Sequence, residues 1–148
     1  MEFSSASEAD LPQLVELLGI LFTLEVEHVP DPHKQRCGLS AILADERIGK
    51  IYVARDAGKA VALASLLYSV STVEGGKVAW FEDLIVHPEH RGRGIGSALL
   101  SFVIAQARND GLLRIMLLTD MQNERAQALY RKLGFAPSSM LPMRLHLK

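Results

Sequence analysis

A single cysteine, Cys37, is all the sequence offers for sulfur chemistry, so no internal disulfide framework holds the chain and its stability must come from a packed core. A buried structural thiol is the ordinary reading of such a residue. Excess charge is also missing: 16 Lys and Arg stand against 17 Asp and Glu, a formal net charge of −1, with the basic residues scattered. Nucleic acids and anionic membranes demand clustered Lys and Arg, so neither is expected as a partner. Near the N-terminus Glu2, Glu8 and Asp10 stand where a signal peptide would need positive charge, which makes the cytoplasm the expected location. The most apolar early stretch, residues 11–26, is interrupted by Glu16 and Glu25 and is no membrane span. His28 with His33, and His87 with His90, lack the further ligands of a metal site, so no metal is expected. Internal repeats, low-complexity tracts and linkers are absent.

What is present suits one domain over residues 1–148: 49% of residues are hydrophobic and 22% charged, enough apolar surface to build a core. Capping oxygens at residues 7–10 precede Leu11, Leu14, Val15, Leu18, Leu21 and Phe22 at helical spacing, which predicts a first helix with one buried stripe. Residues 34–45 read as a second helix after Pro30 and Pro32. Strands are expected at 51–55, 60–73 and 78–86, joined by the turn signals 56–59 and 74–77 into an antiparallel meander. A long helix follows from Ile95 to a cap near Gly111, and then a short apolar strand at 114–119. Because a helix joins them, the strands at 78–86 and 114–119 should be parallel neighbours in a right-handed crossover. Asn123 can cap a last helix carrying Leu129, Tyr130 and Leu133, closed by Gly134, and residues 143–147 alternate as a final strand.

The segment from Val86 to Leu100 carries the chemistry. An apolar strand runs through Arg91-Gly92-Arg93-Gly94-Ile95-Gly96-Ser97 into a helix. Glycines at alternate positions let the backbone approach a ligand closely, and the helix start aims free N–H groups and its positive dipole end at an anion. A negatively charged cosubstrate is the first inference. A P-loop would place Lys and then Ser or Thr after the last glycine, where Ser97 and Ala98 stand. A Rossmann fingerprint would need glycine at Ser97, and too little chain remains for a doubly wound sheet, although Asp120 lies at about the distance of a ribose-binding acid.

The pattern Arg91-x-x-Gly94-x-Gly96, preceded by Glu82-Asp83 on an apolar strand and followed by Leu129-Tyr130-x-x-x-Gly134-Phe135, resembles the GNAT superfamily of acetyl-CoA-dependent N-acetyltransferases. The resemblance covers Trp80 to Phe135 in motif, and the order of elements is similar from the N-terminus onward. It implies an α/β (α+β) fold: a mixed, mostly antiparallel sheet flanked by helices, with a parallel, splayed strand pair at the acetyl-CoA cleft. It further implies that Arg91, Gly92, Arg93, Gly94, Ile95, Gly96 and Ser97 hold the pyrophosphate, and that the backbone of Leu84, Ile85 and Val86 pairs with the pantetheine arm. Arg91 and Arg93 could equally be solvated, and Leu84, Ile85 and Val86 also read as core.

Direct transfer of an acetyl group to an amine needs a neutral amine, a polarised carbonyl and a proton for the leaving thiolate. A backbone N–H near Leu84 could stabilise the thioester oxygen. Tyr130 sits where the family often carries its general acid, and Asn123 where it contacts the pantetheine arm, though packing and helix capping explain these two as well. Glu82 and Asp83, as strand neighbours, should point to opposite faces. The resemblance favours Glu82 as the base, provided that burial raises its pKa; orientation of a cationic substrate is the other reading. The acidic stretch 25–33 falls where the resemblance places the acceptor-side wall, and a solvated acidic loop is the other reading. The expected function is therefore acetyl transfer from acetyl-CoA to a primary amine of a small molecule or peptide. The alternative is a noncatalytic coenzyme A sensor, which would need the glycine turn but not Glu82 and Tyr130 together. Only residues 136–148 follow the last motif, so any final hairpin is short, and the sheet edge it leaves suggests cover by a second subunit, a homodimer.

Overall fold

Residues 51–54 and 60–66 are buried at every position, which a strand achieves when both faces of its sheet are covered. The computed structural model describes residues 1–148 in two compact units, Met1–Leu118 and Thr119–Lys148. In the first unit β1 (Glu2–Ser5), β2 (Gly49–Asp56), β3 (Lys59–Ser71), β4 (Gly76–Val86) and β5 (Ile115–Leu117) lie side by side in that order. All neighbours are antiparallel except β4 and β5, which are parallel. Helices α1 (Leu11–Leu24) and α2 (Pro32–Ala44) supply Leu14, Leu17, Leu18 and Leu39 to a cluster with Ile51, Val53, Leu63 and Ile85. The alternate strand positions face the other way, where the ring of Tyr52 meets Phe102 of α3 (Ile95–Asn109) at 6.0 Å. The sheet is thus flanked by helices on both faces, the α+β architecture expected.

Local chemistry explains the helix starts. The Ser7 N–H donates to Asp10 Oδ2 at 2.8 Å just before α1, and Asp31 Oδ1 accepts from the Lys34 N–H at 3.1 Å, with Pro32 opening α2. Asp10 also receives both arms of Arg55, NH1 to Oδ1 at 2.6 Å and NH2 to Oδ2 at 2.8 Å, which ties the start of α1 to the end of β2. Sequence reading missed β1, whose four residues pair with β2 from Glu2↔Arg55 to Ser5↔Tyr52. It is short, and its partner lies some fifty positions away, so no local pattern marks it.

In the second unit α4 (Glu124–Lys132) begins at Asn123, whose Oδ1 accepts from the Ala126 N–H at 3.1 Å, and ends before Gly134 at φ 101°. The strand expected at 143–147 does not form. Met143, Leu145 and Leu147 are 90%, 82% and 90% exposed, and no neighbouring strand supplies the ladder that alternation alone cannot. No helix is long and apolar enough to cross a membrane.

Candidate active site

The geometry of β4 turns on a bulge. Opposite β3, the register runs Leu66↔Phe81 and then Ala64↔Leu84, so Ser65 faces two residues, Glu82 and Asp83. Leu63 and Ile85 belong to the core beneath α1, and Ser65 shares their side of β3. Both carboxylates therefore lie on the α1 and α2 face, where unbroken alternation would have split them between faces. The same extra residue resets the backbone. Before the bulge the Ala79 N–H points to β5, donating to Arg114 O at 2.9 Å; after it the His87 N–H points to β3, donating to Val61 O at 2.8 Å. By alternation the N–H groups of Leu84 and Val86 point away from β3, on the β5 side. The parallel ladder has ended by then, its last pair being Phe81↔Leu117. The end of β4 thus presents backbone donors with no strand beside them, the splay implied by the resemblance.

Beyond Val86 the chain turns through Pro88–His90 into the glycine segment. Gly92 and Gly94 take φ of 75° and 74°, a left-handed conformation that resists any side chain, and a Cβ at either would project into open space. Gly94 is the N-cap of α3, whose first internal bond runs from the Ala98 N–H to Gly94 O at 3.0 Å. No side chain caps this end, so the N–H groups of Ile95, Gly96 and Ser97 are available at the positive end of a 15-residue helix. A Cβ on Gly96 would meet Val86 Cγ2 at 3.4 Å, so glycine there lets α3 start close against the end of β4. These features fit a pyrophosphate group. Arg91 is exposed and its Nε donates to Val86 O at 3.1 Å, which fixes the loop. Arg93 lies 3.6 Å from Asp56, the same carboxylate that His90 approaches at 3.4 Å. Asp56, at the end of β2, is thus a tether for the glycine segment that the sequence did not reveal.

Burial falls on Asp83, not on Glu82. Glu82 is exposed; Asp83 is partly buried and accepts a bond from the Ser65 hydroxyl at 3.2 Å. Burial pushes the Asp83 carboxyl up to about 6, and the charge of Glu82 pushes in the same direction, while the Ser65 bond opposes both. Glu25 raises it and His28 lowers it, which brings the connection after α1 into the electrostatics of the bulge. Glu25 and His28 themselves pair at 3.1 Å. The pairing of Ser65 with the bulge could not be read without knowing the register.

Asn123 and Tyr130 belong to the second unit. Asn123 caps α4, and the Tyr130 ring packs edge-on against Phe135 at 5.9 Å. Cys37 is exposed on α2, contrary to expectation, with its Sγ 3.8 Å from His33 Nε2. The one-sided stripe of α2 is narrow, with only Gln35 and Leu39 buried, which leaves Cys37 on the solvent side. No group of three or more His, Cys, Asp or Glu is arranged to hold a metal ion.

Comparison with known proteins identifies the family and the fold. Residues 11–135 match the model of the acetyltransferase (GNAT) family. A glucosamine 6-phosphate N-acetyltransferase of Trypanosoma brucei brucei is 29% identical over 91% of this chain and 88% of its own length. A thialysine N-epsilon-acetyltransferase of Bos taurus is 39% identical over 45% of this chain, a match that spans 35% of that enzyme. The crystal structure of a possible acetyltransferase from Clostridium difficile 630 superposes with a TM-score of 0.90, covering 99% of this chain and 97% of its own, at 23% identity, which speaks for the fold. On the family match and the fold together, the chain belongs to the acetyltransferase (GNAT) family and is an N-acetyltransferase.

Proposed function

We propose that this N-acetyltransferase moves an acetyl group from acetyl-CoA directly to a primary amine of a small molecule or peptide, within one domain spanning residues 1–148. The observation that carries the reading is the end of β4, where backbone donors lie beyond the end of a ladder and are followed, after one glycine-rich turn, by an uncapped helix start. The N–H groups of Ile95, Gly96 and Ser97, with the turn from Arg91 through Gly94, would hold the pyrophosphate. The backbone of Leu84, Ile85 and Val86 would pair with the pantetheine arm, and the Leu84 N–H would stabilise negative charge on the thioester oxygen. Asn123 would contact the same arm, and Tyr130 would deliver the proton to the leaving sulfur. Glu82, exposed on the face that α1 and α2 cover, would meet the cationic acceptor, with the acidic residues after α1 as a further wall. The acceptors named for the relatives, an amino-sugar phosphate and a lysine analogue, are both amines and define the first compounds to try. We place the enzyme in the cytoplasm and expect a homodimer, in which a second copy covers an edge of the five-stranded sheet.

Calorimetry with acetyl-CoA, desulfo-CoA, ADP and NAD tests the cradle. Acetyl-CoA and desulfo-CoA should bind well and NAD poorly, and Gly94→Val should abolish coenzyme binding. Retained tight binding in Gly94→Val, or equal affinity for NAD, would show the cradle misread. Tyr130→Phe should lower kcat by about 100-fold with coenzyme affinity unchanged.

A further inference from the structure

We propose that Asp83, anchored on Ser65 in the β4 bulge, is the group that accepts the proton from the acceptor ammonium, while Glu82 draws that cation in from solvent. The assignment rests on the reading above and goes beyond it by naming the base. Three observations carry it. The register puts Glu82, Asp83 and Ser65 on one face of the sheet, so two carboxylates and a hydroxyl share a single patch. The Ser65 hydroxyl, on a fully buried residue in the middle of the sheet, donates to Asp83 Oδ2 at 3.2 Å and so fixes one carboxylate, while the other is exposed. Asp83 is also the residue immediately before Leu84, whose N–H opens beyond the end of the parallel ladder. A proton acceptor and a donor for the developing oxyanion are therefore adjacent along one strand, about 3.8 Å apart at Cα.

The environment divides the work between the two acids. A carboxylate raised by burial and by a like charge, as Asp83 is, is a better match to an ammonium than an unperturbed one. The groups facing Asp83 are Glu82 on its own strand, Ser65 on β3, and Glu25 and His28 from the connection after α1.

The step balances as follows. One N–H bond of the ammonium breaks, its electron pair stays on nitrogen, and the proton forms the carboxylic acid of Asp83. The nitrogen pair then forms the new C–N bond at the acetyl carbon, the C–S bond breaks, and its pair leaves on sulfur. Sulfur takes up a proton from solvent, the nitrogen gives its second proton to solvent, and the proton on Asp83 passes to solvent. Of the two protons lost by nitrogen, one is balanced at sulfur and one is released.

The test is the pH profile of kcat/KM for the best amine found, at saturating acetyl-CoA, with coenzyme affinity measured in parallel. The wild-type profile should fall on the acid side with a midpoint near 6. Asp83→Asn should lose at least about 100-fold in kcat with coenzyme affinity unchanged. Ser65→Ala, which removes a bond to the ionised form, should move the acid limb to higher pH; Glu82→Gln, which removes a like charge, should move it to lower pH. Opposite shifts from these two variants are not expected of a merely structural aspartate, and they decide the matter even if Asp83→Asn fails to fold. The proposal is overturned if Asp83→Asn keeps its kcat, if neither variant moves the limb, or if the limb disappears in His28→Gln and persists in Asp83→Asn. Failure of the functional reading looks different: the wild type would then release no thiol with any amine, and the base assignment would fall with it.

Discussion

Two aspartates in the first unit, Asp10 buried and Asp83 partly buried, have opposite company. Asp10 lies against Arg55, which grips both of its oxygens, and the guanidinium holds its carboxyl below the usual range despite burial. Asp83 lies against Glu82 and a neutral hydroxyl, and burial with the neighbouring charge pushes it up. A buried acid given a cation is a tether: it closes the start of α1 onto β2 and has no proton to exchange near neutrality. A buried acid given another acid is costly to keep ionised, and the fold retains it beside an exposed backbone edge. The contrast separates an acid neutralised by its partner from one whose proton affinity is raised by its neighbours.

The largest effect should come from breaking the tether. Arg55→Ala leaves Asp10 buried without its counter-ion, and should destabilise the protein by about 3 kcal/mol in a urea titration, with little change in coenzyme affinity. A loss no greater than that of an ordinary surface substitution would mean that Asp10 and Arg55 contribute no more than exposed ions. Next in size, Asp83→Asn should act with the opposite sign and stabilise the protein at pH 7 by about 2 kcal/mol, since an acid raised from 3.8 to about 6 disfavours folding once both states are ionised. An Asp83→Asn protein less stable than wild type at neutral pH would remove this half of the contrast.

Acid should then sharpen it. The raised Asp83 binds its proton more tightly folded than unfolded, so its cost shrinks as pH falls from about 6 toward 4, and the advantage of Asp83→Asn should vanish over that window. Asp10 has a lowered folded pKa, so its stabilisation is present above its ordinary value of 3.8 and is lost as pH falls through the lower folded value. Melts of wild type, Asp83→Asn and Asp10→Asn between pH 3 and 7 would show the two windows separately. The smallest effect is Ser65→Ala, which should cost about 1 kcal/mol through the lost bond to Asp83.

How much of this was legible in the sequence follows from how local each feature is. The helices α1, α3 and α4 are set by stripes, caps and glycines within a few residues of one another, and all three were readable. The parallel pairing of β4 with β5 followed from the helix between them. The left-handed glycines and the helix start after them were readable because turn, helix start and motif lie in one short segment. The bulge was not, because it exists only in the register between β3 and β4: Ser65 opposite both Glu82 and Asp83 depends on pairing eighteen residues apart in the chain. Unbroken alternation sent the two acids to opposite faces, so that only one could face the cleft, and the family resemblance favoured Glu82. The same blindness to distant pairing hid β1, the tether from Asp56 to the cradle, and the lack of any partner for the alternating residues 143–147.

The most direct test of the central claim is thiol release from acetyl-CoA at saturating coenzyme, across a panel of amino sugars, amino acids, polyamines and lysine analogues, with the acetylated product identified by mass. The account predicts release that depends on the amine and matches acetylated product one for one. Tight binding of acetyl-CoA with no release on any amine would contradict it and make the protein a coenzyme A sensor.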